Sequence, residues 1–222
     1  MSELFSIQLQ NRQQQGRDGV WLDLPTTTEQ VQAALRQIGI SSDNPQGLFI
    51  SGYFAEEEKR FAIPYNMVLA SNVDELNFLA SRLETLSTGE RAELNAALQA
   101  PQSELFSIGR ITDFPENVDY YVHLPDVHGP AQLGDYYLNR SGMVDMPEEW
   151  KGGIDTAQFG RYVAQQEQGV FTQYGYLVKS GDEWQKVHEG QPVPEEYRVL
   201  SFPVPEILRD AANIPPPVQP ET

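Results

Sequence analysis

The sequence predicts an α+β fold organised as three small units followed by a C-terminal extension. Three observations lead to this: strand-like alternation near both ends, helical periodicity in the middle, and a length of 222 residues, enough for one to three modest units. The predicted units are a small α/β sheet unit (1–63), a helical module (64–101), a second small α+β unit (102–180) and an extension with a Pro-rich tail (181–222).

Three strands and one helix are predicted in the N-terminal unit. The strands are residues 4–9, 19–24 and 48–53. Thr27 or Thr28 caps the helix, which runs to Ile38 and ends at Gly39. One face of this helix should pack on the sheet. Trp21 is expected in the core, because large aromatic residues anchor small sheets.

The middle of the chain has a period of about 3.6 residues, which is typical of helices. Two helices are predicted, over 73–83 and 88–98. Asn72 caps the first, and Ser87 or Thr88 begins the second. Both are too short to be stable alone, so we expect them to pack on each other as a compact module.

The second α+β unit contains strands and helices. The predicted elements are a strand at 120–124, helices at 131–140 and 156–166, and a hairpin of 170–172 and 176–178 around Gly175. Residues 103–108 repeat residues 2–7 letter for letter, but the flanks diverge, so we interpret the repeat as chance and the second copy as a helical turn. Residues 181–205 are expected to add an edge strand or to cover this unit.

Acidic residues outnumber basic ones along the whole chain. Thirty-two Asp and Glu stand against fifteen Lys and Arg, which gives a net charge of −17. The densest stretch is 112–150, with eight acids and a single base, Arg140. Such a charge repels nucleic acid and favours a partner with a basic groove. The interleaved apolar residues indicate a folded acidic protein and not a disordered acidic tail.

Composition excludes several kinds of chemistry. The chain has no cysteine, which excludes disulfides, thiolate metal sites and a cysteine nucleophile. Its apolar runs are far shorter than the ~18 residues that span a bilayer, and the first ten residues lack a basic region followed by an apolar stretch. We therefore expect a soluble, cytoplasmic protein with no membrane partner. No phosphate-binding, dinucleotide-binding or serine-nucleophile motif is present, so no cofactor is expected.

Two other functions stay open from the residues themselves. A hydrolase could use carboxylates with His123 or His128, although we interpret both as solvated loop histidines. The second alternative is an acidic adaptor that binds another basic DNA-binding protein. Trp150 and Trp184 lie beside polar or Gly-rich stretches, and exposed tryptophans of this kind can anchor an interface.

A collinear set of short motifs over residues 3–180 resembles a known family. The motifs include GVWLDLP at 19–25, FISGY at 49–53, DELNFLA at 74–80, QLGDYYL at 132–138 and DTAQFGR at 155–161. In this order they are similar to the ArdA-type antirestriction proteins, which are carried on plasmids, conjugative transposons and phages. Gly52 departs from the pattern, since the family usually has an acid there, and the residues from Gly181 onward have no counterpart.

The resemblance implies a non-catalytic inhibitor of type I restriction-modification enzymes. Family members are elongated, curved imitations of DNA that occupy the specificity and methylation core of these enzymes and form homodimers through the C-terminal unit. The stretch that matches the family's antirestriction and dimer-contact motif is Tyr136, Tyr137, Leu138, Asn139, Arg140, Ser141, Gly142, Met143 and Val144. Core packing is the alternative for Tyr137 and Leu138.

The acids that we expect to imitate phosphates are called the acidic array. They are Glu56, Glu57, Glu58, Asp74, Glu75, Glu84, Glu90, Glu93, Asp113, Glu116, Asp119, Asp126, Asp135, Asp145, Glu148 and Glu149. For any single member the alternative is an ordinary solvated side chain. The hypothesis therefore concerns the summed effect of the array, because one exposed ion pair contributes only ~0–1 kcal/mol.

Overall fold

The computed structural model describes residues 4–14, 18–41, 45–56, 61–101 and 103–200. It confirms the α+β class: the described residues form two three-stranded antiparallel sheets and eight α-helices. Within these residues, no helix has both the length and the apolar character needed to cross a membrane.

The first sheet and its helix form where the sequence predicts them. The strands are β1 (Phe5–Asn11), β2 (Val20–Leu24) and β3 (Leu48–Phe54), in the order β2-β1-β3. Helix α1 (Thr28–Gln37) begins at Thr27, whose hydroxyl accepts from the Gln30 amide while the Gln30 side chain accepts from the Thr27 amide. Its buried residues, Val31, Ala34 and Leu35, belong to the same core as the inner face of the sheet.

The prediction that Trp21 lies in the core is wrong. Neighbouring residues of a strand point to opposite faces, and β2 directs Leu22 and Leu24 inward. Trp21 therefore lies on the outer face, where 49% of the residue is exposed.

Both predicted helices of the middle segment are formed, but the prediction that they pack mainly on each other is wrong: the first packs on β2 and residues 108–112, and the second packs on residues 121–124 and 175–179. The segment contains α2 (Tyr65–Leu69), α3 (Val73–Glu84) and α4 (Thr88–Gln99). Asn72 and Ser87 cap α3 and α4, and each forms a reciprocal capping box with the glutamate three residues later. The apolar stripe of α3 is fully buried: Leu76, Leu79 and Leu83 are each 0% exposed.

The second sheet has the order β4-β6-β5. Its part of the chain contains α5 (Ile108–Thr112), β4 (Tyr121–Leu124), α6 (Pro130–Asp135), α7 (Glu148–Lys151), α8 (Thr156–Glu167), β5 (Val170–Thr172) and β6 (Gly175–Lys179). Gly175, at a φ of 120°, permits the tight turn of the β5–β6 hairpin. The predicted helical turn at 103–108 is wrong, because α5 begins only at Ile108, after its cap Ser107. The repeat is not structural either, since residues 5–7 lie in strand β1.

Helices α6 and α8 pack with their backbones almost in contact. A Cβ atom on Gly134 would lie 1.9 Å from the carbonyl oxygen of Thr156, and one on Gly160 would lie 1.8 Å from that of Pro130. Only glycine fits at either position. Beyond α6, the predicted helix continues to Arg140 but widens into a π-helix at Tyr136–Arg140, where the Ser141 amide donates to the Tyr136 carbonyl.

Residues 181–200, here called the strap, cover helices α3 and α5. The predicted edge strand is not formed by them, since their only regular element is a short 3₁₀ turn at Glu195–Tyr197. The Asn77 amide of α3 donates to the Tyr197 carbonyl, and the Phe78 ring contacts both His188 and Tyr197. The strap ends in the main core at Val199, which is 4% exposed.

Candidate functional site

Six members of the acidic array are exposed. They are Glu56, Asp119, Asp126, Asp145, Glu148 and Glu149. Glu57 and Glu58 lie outside the described residues. Over all described residues, fourteen exposed acids stand against seven exposed bases, so negative charge dominates this part of the surface.

The negative charge is most concentrated at the surface in residues 112–150. Five of their eight acids are exposed. The single base, Arg140, is ion-paired with Asp135 at 3.0 Å, and Lys151 just beyond is paired with Glu148 at 2.6 Å. Both nearby cations are thus already matched to a carboxylate, and the remaining exposed acids give this segment its excess of negative charge.

Three other members of the array are partly buried and have internal partners. Glu75 and Glu90 complete the capping boxes of α3 and α4. The hydrogen bond from the Ser87 hydroxyl lowers the pKa of Glu90. Glu116 forms an ion pair with Arg82 of α3. Glu84 is partly buried as well. The carboxylates of Glu75, Glu90 and Glu116 are thus held in place by the fold.

Two members of the array anchor the strap. Asp113 is 0% exposed, and its carboxylate accepts from the amides of His188 at 2.6 Å and Glu189 at 3.2 Å. Asp74 accepts from the amides of Val199 at 2.8 Å and Leu200 at 2.7 Å. The assignment of Asp113 to a phosphate-like surface is therefore wrong, because its carboxylate faces the protein interior. Asp74 is partly buried and serves the same structural purpose.

Glu93 on α4 does not carry a full charge at neutral pH. Burial, together with the neighbouring charges of Glu90 and Asp119, raises its pKa to about 8. Its Oε1 atom is buried without a hydrogen-bond partner. Glu93 therefore does not fit its predicted place in the acidic array, because it is mostly protonated and an imitation of phosphate requires a charged carboxylate.

The predicted dimer-contact motif begins in the π-helix. Leu138 is 3% exposed, and the half-buried Tyr137 donates its hydroxyl to the Glu167 carboxylate of α8. Burial and the bond to Glu167 raise the pKa of Tyr137. These two residues pack within the chain, whereas Asn139 and Met143 are exposed, Met143 at 74%. The outward part of the motif is thus its C-terminal half.

The histidines show no arrangement typical of a hydrolase. A ring nitrogen of His123 lies 2.7 Å from the carbonyl oxygen of Tyr174, and His128 is exposed. A cavity of about 640 Å³ lies between α3, α5 and the strap, and the histidine that lines it is His188. No group of three or more histidine and carboxylate side chains among the described residues could hold a metal ion.

An arginine clamp that the sequence did not predict joins the strap to α5. The Arg110 guanidinium forms ion pairs with Glu104 at 3.2 Å and Glu189 at 2.8 Å. It also lies over the rings of Phe106, at 4.9 Å, and Trp184, at 5.7 Å. These partners come from two separate stretches of the chain, residues 104–106 and the strap, so no local sequence pattern indicates the whole clamp. Trp184 is partly exposed, as predicted, and Trp150 is 69% exposed.

The chain matches a protein-family model over most of its length. A family model described as "Antirestriction protein (ArdA)" matches residues 15–178, about three quarters of the chain. None of the curated proteins compared with the chain matches it. The matched range begins after strand β1, includes the other five strands except the last residue of β6, and ends before the strap.

Proposed function

Because the chain belongs to the ArdA antirestriction protein family, we propose that it inhibits type I restriction-modification enzymes by occupying their DNA-binding groove as an acidic imitation of DNA. In this proposal the protein binds the specificity and methylation core, and it needs neither catalysis nor a cofactor. The observation that carries the proposal is the surface of residues 112–150, where five acids are exposed and the single base is already paired.

Electrostatics explains how such a surface would compete with DNA. Duplex DNA carries one negative charge per ~1.7 Å of its axis, and an enzyme's DNA groove is lined with Lys and Arg to match it. Fixed carboxylates can form charge-assisted hydrogen bonds to those cations, and long-range attraction speeds the encounter. Three units in an elongated row, 1–63, 64–101 and 102–180, would spread the carboxylates along a groove. Binding of this kind weakens as salt rises.

Competition with labelled DNA for a purified type I methyltransferase tests the proposal. The test variant is Asp145→Asn, Glu148→Gln and Glu149→Gln combined. The matched control neutralises three exposed acids of the strap that lie outside the array: Glu183→Gln, Glu195→Gln and Glu196→Gln.

Both variants lose three negative charges, at different places on the surface, and the array variant also removes the carboxylate that pairs with Lys151. The array variant should displace DNA more weakly and with a shallower dependence on salt, while the strap variant should compete like the unmodified chain. Equal losses in both would mean that net charge alone acts. Failure of the folded, unmodified chain to displace DNA at low salt would contradict the proposal.

We also propose that two chains associate through the outward half of the motif 136–144. Met143 supports this, because 74% of this apolar residue is exposed next to the exposed Gly142. A symmetric pair of identical surfaces is the commonest closed assembly. Met143→Glu should lower the mass measured by light scattering from that of a dimer to that of a monomer. Val187→Glu, at a residue that is 43% exposed in the strap, is the control and should leave the mass unchanged.

A further inference from the structure

Two aromatic rings lie together on the outer face of the first sheet. Trp21 in β2 is 49% exposed and Phe54 at the end of β3 is 57% exposed. Their ring centroids are 6.4 Å apart and the ring planes meet at 73°, an edge-to-face contact. The contact crosses the central strand, because Ser6 and Gln8 of β1 each pair with residues of both outer strands.

Gly52 in β3 leaves room for the indole. Gln8 pairs with Trp21 on one side and with Gly52 on the other. A Cβ atom on Gly52 would lie 3.0 Å from both the Trp21 Cη2 atom and the Gln8 Cβ atom. Any side chain here would push the indole away from β3 and thus away from Phe54. The glycine therefore allows two large rings to meet on a surface where they remain half exposed to water.

A carboxylate accompanies the ring pair. Asp23 lies two residues after Trp21, so both side chains are on the same face of β2. Asp23 is exposed, and its Oδ1 atom accepts from the Ser6 hydroxyl at 2.8 Å. An ionised carboxylate accepts several hydrogen bonds, so one bond leaves it able to bind a cation. An apolar partner would desolvate Asp23 without compensation. A cationic partner would not.

The arginine clamp described above shows what this combination of groups binds. There, two rings and two carboxylates surround the guanidinium of Arg110. Among the described residues, no arginine or lysine lies over the ring of Trp21 or Phe54 in the same way. A planar guanidinium can stack on a ring and donate to a carboxylate at once, which an ammonium group does less well.

We propose that Trp21, Phe54 and Asp23 form a binding site for an arginine side chain of the partner protein. The identity of that partner as a restriction-modification enzyme rests on the proposed function, whereas the preference for arginine rests on the surface itself. The site adds an aromatic anchor to an interface otherwise made of exposed carboxylates. Stacking depends less on salt than charge pairing does, so this anchor would retain affinity where the acids lose it.

A peptide titration tests the site without the enzyme. The probes are a hexapeptide rich in arginine and its lysine counterpart, followed by tryptophan emission in the full chain and in Trp21→Phe. We expect the arginine peptide to change the emission of the unmodified chain and to bind several-fold more tightly than the lysine peptide. The part of the change that comes from Trp21 should be absent in Trp21→Phe, which keeps an aromatic ring for packing and leaves Trp150 and Trp184 as the background emission.

Binding to the methyltransferase gives a second measurement. Trp21→Ala and Phe54→Ala should each weaken binding about tenfold at low and at high salt, as is typical of an aromatic anchor. Asp23→Asn should weaken binding mainly at low salt. Tyr162→Ala, which removes an aromatic residue that is 59% exposed on α8, is the control and should bind like the unmodified chain. Circular dichroism and melting temperature establish that each variant is folded.

The outcomes separate this inference from the proposed function. If the arginine peptide changes the emission of Trp21 but the unmodified chain fails to displace DNA, the site is supported and the proposed function is contradicted. If the chain displaces DNA and both alanine variants bind like the unmodified chain, the site is overturned. The site is also overturned if the emission of Trp21 does not respond to the arginine peptide but shifts in one of two other experiments. A shift on deleting residues 201–222 would mean that the tail covers this face, and a shift on raising the protein concentration would mean that a second copy does.

Discussion

Neutralising Asp113 should loosen the strap and lower the stability of the whole chain. In Asp113→Asn, the amide oxygen can accept from only one of the His188 and Glu189 amides, and the new NH₂ group faces the other donor. Hydrogen bonds to a charged acceptor contribute about 1.5–3 kcal/mol each. Because His188 and Glu189 are only partly buried, water can hydrogen-bond to the amide that loses its partner and offset part of this loss. We expect the free energy of unfolding to fall by about 3 kcal/mol, near the contribution of one such bond.

Thermal melting and amide hydrogen exchange measure this effect. For a chain of this size, about 3 kcal/mol corresponds to a fall in Tm of roughly 6–12 °C. Asp126→Asn is the matched control, since it removes the same charge from an exposed residue and should cost less than about 0.5 kcal/mol. The His188 and Glu189 amides should exchange faster only in Asp113→Asn. If both variants melt within about 2 °C of each other, Asp113 does not hold the strap, and the reasoning fails.

Three further changes test other buried contacts. The pKa of Glu93 is raised to about 8, so the folded chain binds more protons than the unfolded chain between about pH 4.5 and 8. The free energy of unfolding should therefore fall as pH rises through that range. Glu93→Gln should make this fall smaller, as measured by urea titrations at pH 6 and 9. Gly160→Ala places a methyl group against a backbone carbonyl of α6 and should cost about 3 kcal/mol in thermal unfolding, whereas Gly152→Ala, with no atom within 4 Å of its Cβ, should not destabilise the chain. Tyr137→Phe loses the bond to Glu167 and should cost about 1–2 kcal/mol in the same assay, while a neutral result would mean that the bond adds nothing.

Local sequence signals predicted the elements of the fold well. Each capping box at Thr27, Asn72 and Ser87 is formed by the capping residue and the residue three positions later. The beginnings of α1, α3 and α4 can therefore be predicted from the local sequence. Alternation likewise gave the strands. The same alternation places Trp21 on the outer face of β2, opposite Leu22 and Leu24, although large aromatic residues more often anchor the core.

The contacts between distant segments could not be predicted in this way. Asp74 and Val199 are 125 residues apart, and Asp113 and His188 are 75 apart. The sequence showed two acids among many, and nothing near either of them indicates an unpaired backbone amide elsewhere. The π-helix at Tyr136–Arg140 is similar, because no local pattern indicated it and its Tyr137 bonds to Glu167, 30 residues away.

Net charge therefore overstates what this surface can offer a basic groove. Of the fourteen array members within the described residues, Asp113 is buried and Glu93 is mostly protonated at neutral pH. Asp74 is held by the strap. A chain can thus carry many acids for reasons of folding, and a count from sequence does not separate these from acids that meet a partner. The exposed acids of residues 112–150 remain available to attract a basic groove at long range. Because each of them is exposed to solvent, each should contribute only a small amount to the binding free energy, and the contributions should add. Neutralising these acids one after another should therefore lower the affinity for the enzyme in small steps, and the salt dependence of binding should decrease with each step. Loss of all affinity on a single substitution would indicate one specific contact and would contradict an imitation of DNA.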